Sequence, residues 1–303
     1  MLLNISSAVI PNEGQSLKKR LRNRLPYILT SNGSPGVYNS FDIVGEIAVI
    51  KLIDSSTENA SIVANEIMSR HKNVKTVLAQ SSSISGDYRI RNLLHLAGEN
   101  KTHTLYKESG CIFAVDLKTC YFSPRLSGER RRIAQLIKPN EVIVNMFAGV
   151  GCFSIIIAKK VNSARVFSID INPTAVQYMK ENVRINRVYG KVLPLEGDSK
   201  AIIQNNLQGV ADRVIMPLPE KALEYLPSAI SALKPKGGWI HYHCFEHAEK
   251  NEDPIKNAAL KLIPQLSRSN VDFEINLIRL IRKVGPNWHQ IVADININGF
   301  DKF

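Results

Sequence analysis

Cysteine is scarce in this chain. Four occur in 303 residues, at Cys111, Cys120, Cys152 and Cys244, and no two form a C-x-x-C pair. That spacing gives no support to a zinc knuckle or a dithiol redox motif, so no metal is expected and a reduced, cytoplasmic protein is the default. Long apolar runs are also missing: none approaches the roughly 18 residues of a bilayer-spanning helix. The opening MLLNISSAVIPNEGQ is too short and too polar in its middle for a signal peptide. No internal repeat or low-complexity tract is visible. Acidic residues are in deficit, 27 Asp and Glu against 39 Lys and Arg, for a formal net charge of +12. Such a surplus favours a polyanionic partner over a merely basic surface. It is densest in KKRLRNR at 18–24 and GERRRIAQ at 128–135.

What is present is a sizeable apolar fraction, 44%, enough for a large core. Three regions separate by pattern. Residues 1–39 carry a basic helix, SLKKRLRNRLPYIL, and a linker, TSNGSPGVYNS. Residues 40–118 read as a small α+β domain of about four strands. It contains the strands EIAVIKL and VKTVLAQ and an amphipathic helix, NASIVANEIMSRH, with Ile62, Ile67 and Met68 on its buried face. A hairpin, THTLYKESGCIFAVDL, turns at Ser109-Gly110. Residues 119–303 alternate strand and helix, the rhythm of a mostly parallel, doubly wound sheet whose last two strands form an antiparallel edge pair.

The third region holds a nucleotide pocket. In VIVNMFAGVGCFSI, Gly149 and Gly151 stand between an apolar strand and a helix, where glycine permits a tight turn and close approach of a ligand. Asp170 ends the next strand, at the ribose position of a Rossmann-like sheet. Asp198 ends the third strand, within reach of an adenine amino group. Ser154 stands where a dinucleotide fold has its third glycine. The set fits S-adenosylmethionine better than NAD. A plain structural turn at the glycines, and helix capping by the two acids, remain the competing readings.

These segments, with YFSPRLSGERRRIA upstream, GDSK, GGWIHYHCFE and the late IRKVGPNWHQIVADI, resemble the archaeal and eukaryotic tRNA methyltransferases that act on guanosine 37. The resemblance covers roughly residues 40–300 and implies a Rossmann-like, S-adenosylmethionine-dependent methyltransferase domain with a smaller N-terminal α+β domain, a monomer that binds the anticodon loop of tRNA. The family's usual N-terminal domain is expected to be missing or reduced to the first forty residues. The resemblance places Tyr121, Phe147, Gly149, Gly151, Asp170, Ile171, Asp198 and Pro217 at the cofactor, and Arg125, Pro217 and Pro219 at the substrate. It makes Glu129 the base that takes the N1 proton, with pairing to a neighbouring arginine as the alternative. Arg89, or else Arg91, holds the purine carbonyl. Arg130, Arg131 and Arg132 are candidate phosphate contacts, and Trp288 and His289 are expected to pack rather than touch RNA.

Two departures stand out. Asn145 replaces the family's Asp, and Pro217-Leu218-Pro219 replaces Asn-Leu-Pro. An Asn side chain offers a donor and an acceptor to a guanine edge, whereas proline offers only its carbonyl. A substrate fitting that loss is the tricyclic wyosine intermediate at position 37, methylated from 4-demethylwyosine to isowyosine. A branch transferring the aminocarboxypropyl group instead is ranked below methyl transfer. A NAD-linked dehydrogenase and a non-catalytic RNA-binding protein are the readings from other classes. The first lacks its third glycine, and the second is disfavoured by the joint presence of Gly149, Gly151, Asp170 and Asp198.

Overall fold

The computed structural model describes residues 41–51 and 57–299, so the basic helix and linker expected at 1–39 lie outside the described residues. The chain divides into two units: one runs to Ser83 and includes Asn92–Lys101, and the other holds Ile84–Arg91 and everything from Thr102 onward.

The smaller unit is a four-stranded sheet in the order β1 (Asp42–Val44), β2 (Ile47–Lys51), β3 (Thr76–Gln80), β4 (Leu93–Gly98). β2 and β3 are parallel and joined through helix α1 (Thr57–Arg70). The buried stripe of α1 is Ala60, Val63, Ala64 and Ile67, the i, i+3, i+4, i+7 spacing of one helical face. Ile62, expected on that face, is 60% exposed. It stands five residues before Ile67, which at 3.6 residues per turn puts it well round the helix.

The larger unit opens with the expected hairpin, β5 (His103–Glu108) and β6 (Cys111–Asp116). Ser109 and Gly110 have φ of 51° and 75°, the left-handed pair a two-residue hairpin turn needs. The hairpin therefore groups with the larger unit, whereas the sequence pattern put the boundary near residue 118. The reason lies at the end of the helix Pro173–Ile185. Asn186 accepts from Ile112 N (2.9 Å) and donates to Ile112 O (2.6 Å). One turn earlier, Asn182 accepts from Ala114 N (2.6 Å) and donates to Ala114 O (3.0 Å) and Val150 O (2.9 Å). Two amide side chains thus act as a partner strand for β6, each bond worth about 1 kcal/mol and costly to leave unmade in a buried setting.

The main sheet has seven strands: β7 (Val142–Asn145), β8 (Arg165–Asp170), β9 (Val192–Glu196), β10 (Arg213–Met216), β11 (Gly238–His247), β12 (Phe273–Gly285) and β13 (Trp288–Ile297). Their spatial order is β12-β13-β11-β10-β7-β8-β9, with β7 to β11 parallel and β13 antiparallel between β11 and β12. The expected antiparallel pair is present, but only β12 is at the edge. The order reverses between β7 and β10, the switch point at which open α/β sheets place ligands.

Strand alternation divides the sheet's two faces. Val144, Met146, Val214, Ile240 and Tyr242 bury against α6 (Ala222–Ala232) and α7 (Pro254–Arg268). The opposite face carries α2 (Ser127–Leu136) and α3 (Cys152–Lys160). Among the described residues the other α-helices are α4 (Pro173–Ile185) and the short α5 (Ser199–Ile202), which runs into a π-helical turn at Ile203–Leu207. Asn172 caps α4 as expected, accepting from Thr174 N and Ala175 N, with Pro173 in the first turn.

Candidate active site

A cleft of about 980 Å³, counting its open mouth, lies within the larger unit at the carboxyl ends of β7, β8, β9 and β10. The apolar β7 strand ends in the loop Met146–Gly151, where Gly149 and Gly151 adopt φ of 56° and 91°. The two glycines have different reasons. A side chain at Gly149 would meet nothing closer than Tyr121 O at 3.9 Å, so its backbone stays open to the cleft. A Cβ at Gly151 would fall 2.9 Å from Met179 Cγ and 3.1 Å from Ile155 Cδ1, so there glycine serves packing as well as its left-handed φ. Gly151→Ala is accordingly expected to cost about 1–3 kcal/mol through strain and overpacking, seen as a lower urea midpoint with an unchanged slope.

Asp170 ties this loop to β8. One carboxylate oxygen accepts from Gly149 N at 2.6 Å and the other from Asn172 N at 3.0 Å. Desolvation raises its pKa, opposed by those two backbone donors. Asp170 is therefore not the helix cap, a role that falls to Asn172. Asp198 is one: it caps α5 by accepting from Ala201 N at 3.2 Å. Its other oxygen takes the hydroxyl of Tyr225 at 2.6 Å. Tyr225 also meets Phe147 edge-on, ring centroids 5.0 Å apart, and desolvation followed by the Asp198 carboxylate holds its phenol protonated. Ile171 adds an apolar wall that is 42% exposed, suited to a planar base.

The opposite wall comes from Tyr121, Phe122, Ser123 and Leu126 and the segment Asp87–Arg89. Arg89 lies over the Tyr121 ring at 4.1 Å, a cation–π contact. Its Nη2 donates to Glu220 at 2.8 Å, while its Nε is buried without a protein partner. Lys221 pairs with Asp87 at 2.6 Å, so two ion pairs tie this segment to the loop after β10. Arg91 instead donates to Phe122 O at 3.3 Å, so of the two it is Arg89 that lines the cleft.

Of the residues expected at the cofactor, Tyr121, Phe147, Gly149, Asp170, Ile171, Asp198 and Pro217 line the cleft, and Gly151 stands directly behind. Of those expected at the substrate, Pro217 lines it. Pro219 is buried outside the lining, where its ring serves the turn, and Arg125 is exposed on the 3-10 turn Pro124–Leu126, also outside the lining. Asn145 is fully buried in a polar cluster beneath, donating to Ser154 Oγ at 3.0 Å, which also accepts from Ser168 Oγ at 2.7 Å. Its departure from the family's Asp is thus a change in the support of the loop rather than in the cleft wall. Sequence reading passed over Tyr225, Asp87, Glu220 and Lys221. Their hydrogen-bond partners lie 27 or more positions away, and only a cleft-facing register at the start of α6 could have signalled Tyr225.

Glu129 does not line the cleft. It is 3% exposed and both oxygens are taken: Arg132 donates to them at 2.7 and 3.0 Å, and Arg279 donates to Oε2. Burial alone would raise its pKa, but the guanidinium groups of Arg132 and Arg279, with His243 at 4.0 Å, bring it below the ordinary value. The arginine pairing expected on a solvated turn is therefore present in a buried network. That network continues through Asp294, which accepts from Arg132 at 2.5 and 3.0 Å, to His241 at 2.6 Å. Beyond it, Arg213 reaches His241 at 2.8 Å and pairs with Glu141. His243 is fully buried, neither ring nitrogen has a hydrogen-bond partner, and burial brings its pKa down to about 4. Arg130 is likewise a buried structural cation, bidentate to Glu108 at 2.8 and 2.5 Å. Two of the three arginines expected to meet phosphate are thus committed to carboxylates, and Arg131 alone of the run is exposed.

The donor set fits S-adenosylmethionine. Arg89, Arg130 and Lys221 line the cleft, and each is paired with a carboxylate, which leaves little to hold a pyrophosphate. Two acids and an apolar wall suit a ribose, an adenine and a cationic sulfonium. Asp170 and Asp198 would hold the sugar and purine, and Phe147 and Ile171 would flank the ring.

Comparison with known proteins agrees. The TRM5/TYW2 methyltransferase domain description matches residues 104–270, and the TYW2 N-terminal domain description matches 18–102. The second match covers most of the small α+β region and reaches back to residue 18. The tRNA (guanine(37)-N(1))-methyltransferase Trm5b of Pyrococcus abyssi is 40% identical over 259 residues, 86% of this chain and 75% of that protein. The tRNA 4-demethylwyosine(37)-methyltransferase Taw21 of Saccharolobus solfataricus is 37% identical over 263 residues, covering 86% of this chain and 95% of its own. The crystal structure of Methanocaldococcus jannaschii TYW2 in complex with AdoMet matches with a TM-score of 0.62 at 28% identity, over 86% of this chain and all of that one (100%). The chain belongs to the TRM5/TYW2 family of S-adenosylmethionine-dependent methyltransferases.

Proposed function

We propose that this enzyme methylates the purine at position 37 of tRNA, at N1 of guanosine, acting as a monomer on the anticodon loop. The observation that carries the reading is Arg89: a guanidinium fixed on the Tyr121 ring in the cleft, with one buried N–H donor that has no protein acceptor. A purine O6 supplies such an acceptor. When N1 loses its proton, negative charge spreads to O6, and a preorganised cation there stabilises the transition state more than the ground state. S-adenosylmethionine, when bound, supplies the methyl group. The family resemblance assigns the N1 proton to Glu129. Its carboxylate is ionised, as a base must be, and reaching the substrate requires Arg279 to leave Oε2. Incubating the protein with S-adenosylmethionine and a tRNA transcript bearing guanosine 37, then resolving nucleosides by mass spectrometry, is expected to yield N1-methylguanosine. Cofactor binding without methyl transfer to any position would defeat the proposal.

A second reading rests on Pro217. It lines the cleft just past β10 and presents no side-chain amide to a guanine edge. The tricyclic 4-demethylwyosine base covers that edge with its added ring and needs no such partner, and the similarity to Taw21 supports this substrate. Pro217→Asn is expected to shift the ratio of rates on guanosine-37 and 4-demethylwyosine-37 tRNA toward guanosine by roughly 5- to 100-fold, the worth of one specific buried hydrogen bond. An unchanged ratio would rule out Pro217 as the discriminator. A product carrying an aminocarboxypropyl group instead of methyl would assign the chain to that branch.

A further inference from the structure

The seven-stranded sheet does not end level with the cleft. Met216, the last residue of β10, pairs with Tyr242, and β11 continues five residues further to His247, paired with Trp288 of β13. At about 3.3 Å per residue, the β11–β13–β12 side projects roughly 16 Å past the end of β10, on the same carboxyl edge that bears the cleft. Trp288 sits at the tip of this projection and is 46% exposed. By alternation it shares a face with Gln290 and Asp294, the face that carries α2. His247 braces the ring edge-on at 5.3 Å. Glu249 holds the turn beneath, accepting from Asn287 Nδ2 at 2.9 Å and standing 3.7 Å from His247 Nε2. Between Trp288 and the cleft runs Arg282, which donates to Gln290 at 2.8 Å and reaches Ser123 Oγ of the cleft wall at 3.5 Å.

An exposed indole, braced at its edge and joined to a substrate cleft by a cation, is how proteins hold unpaired bases: the ring stacks and the cation follows the backbone. Resting on the tRNA reading above, we infer that Trp288 is a stacking platform for an unpaired nucleotide of the substrate RNA. On this view Arg282 follows the phosphates between that nucleotide and the one in the cleft. The occupant is single-stranded RNA rather than protein, because the Arg282 guanidinium joins the ring to the wall of the cleft that takes the purine.

The chain has two tryptophans, so Trp239→Phe leaves Trp288 as the sole indole reporter. Titrating that variant with a guanosine-37 tRNA transcript is expected to quench its fluorescence. Trp288→Ala is expected to weaken tRNA binding about tenfold, with Trp288→Phe retaining most of the affinity and S-adenosylmethionine affinity unchanged in both. Arg282→Ala is expected to lower the salt slope of tRNA binding by about one charge. Unquenched fluorescence together with wild-type affinity in Trp288→Ala overturns the inference. So does a change of oligomeric state in that variant with tRNA affinity intact, which would make the ring a protein contact. If the wild-type protein itself fails to bind tRNA, the functional reading fails and takes this inference with it; wild-type binding that Trp288→Ala leaves untouched removes this inference alone.

Discussion

Replacing Asp170 with alanine is expected to raise the dissociation constant for S-adenosylmethionine about a hundredfold or more. The carboxylate accepts two backbone hydrogen bonds, from Gly149 and Asn172, and each bond to a charged group is worth about 1.5–3 kcal/mol. Its loss releases the glycine loop from β8 and removes the acceptor assigned to the ribose. Asp170→Asn should be nearly as damaging, because an amide in that place turns a donor toward one of the two N–H groups. Acidity should weaken binding in the same way. Burial raises this pKa, so the charged form is lost as pH falls through a value above the ordinary aspartate's, and cofactor affinity falls with it. Titration calorimetry measures both effects. A shift under fivefold in the alanine variant would mean that the cofactor does not depend on this acid.

The second large effect is expected at Glu129. Glu129→Ala removes the carboxylate of Arg279 and one of the two carboxylates of Arg132 from a buried network and should cost about 3–5 kcal/mol of unfolding free energy. Glu129→Gln keeps the shape and tests the chemistry. Single-turnover methyl transfer should slow by about 10²- to 10⁴-fold if the carboxylate takes the proton. Cofactor affinity should stay within about twofold, since Glu129 lies outside the cleft lining. A variant with normal single-turnover rate and lowered stability would confine Glu129 to the ion network. The network also predicts an acid-sensitive fold with a definite sign. Glu129 and Asp294 have folded-state pKa values below their unfolded ones, so their stabilisation is present above the ordinary carboxylate range and lost only as pH falls through the lowered values. His243 acts earlier. It is neutral in the folded protein down to about pH 4 but protonates near 6.5 when unfolded, so stability falls between those values, by up to about 3 kcal/mol. His243→Phe should flatten that limb, and a wild-type stability that is level from pH 7 to 5 would contradict the assignment.

Much of the site was legible in sequence because it follows chain-local rules. Glycine after an apolar strand, an acid closing each of the next two strands, and Asn-Pro opening a helix are patterns of neighbours, fixed by backbone conformation and strand length. They located Gly149, Gly151, Asp170, Asp198 and Asn172. What failed were statements about where a charge finds its partner. Arg130 and Arg132 read as a basic run open to phosphate, yet Glu108 stands 22 positions before Arg130 and Asp294 stands 162 after Arg132. Ile62 failed for another reason: a short amphipathic segment admits more than one apolar stripe until a sheet is laid against it.

The sequence by itself determined the order of strands and helices, the position of the glycine loop and the identity of the acids around it, since these depend on dihedral preference and on the periods of helix and strand. Only the tertiary structure decided which unit owns the hairpin, which of two arginines enters the cleft, and that Glu129 is enclosed by guanidinium groups while Trp288 stands free at a projecting edge. Those outcomes depend on contacts between residues far apart in the chain. A buried charge is worth keeping only beside its partner, and composition cannot say where folding will bring that partner.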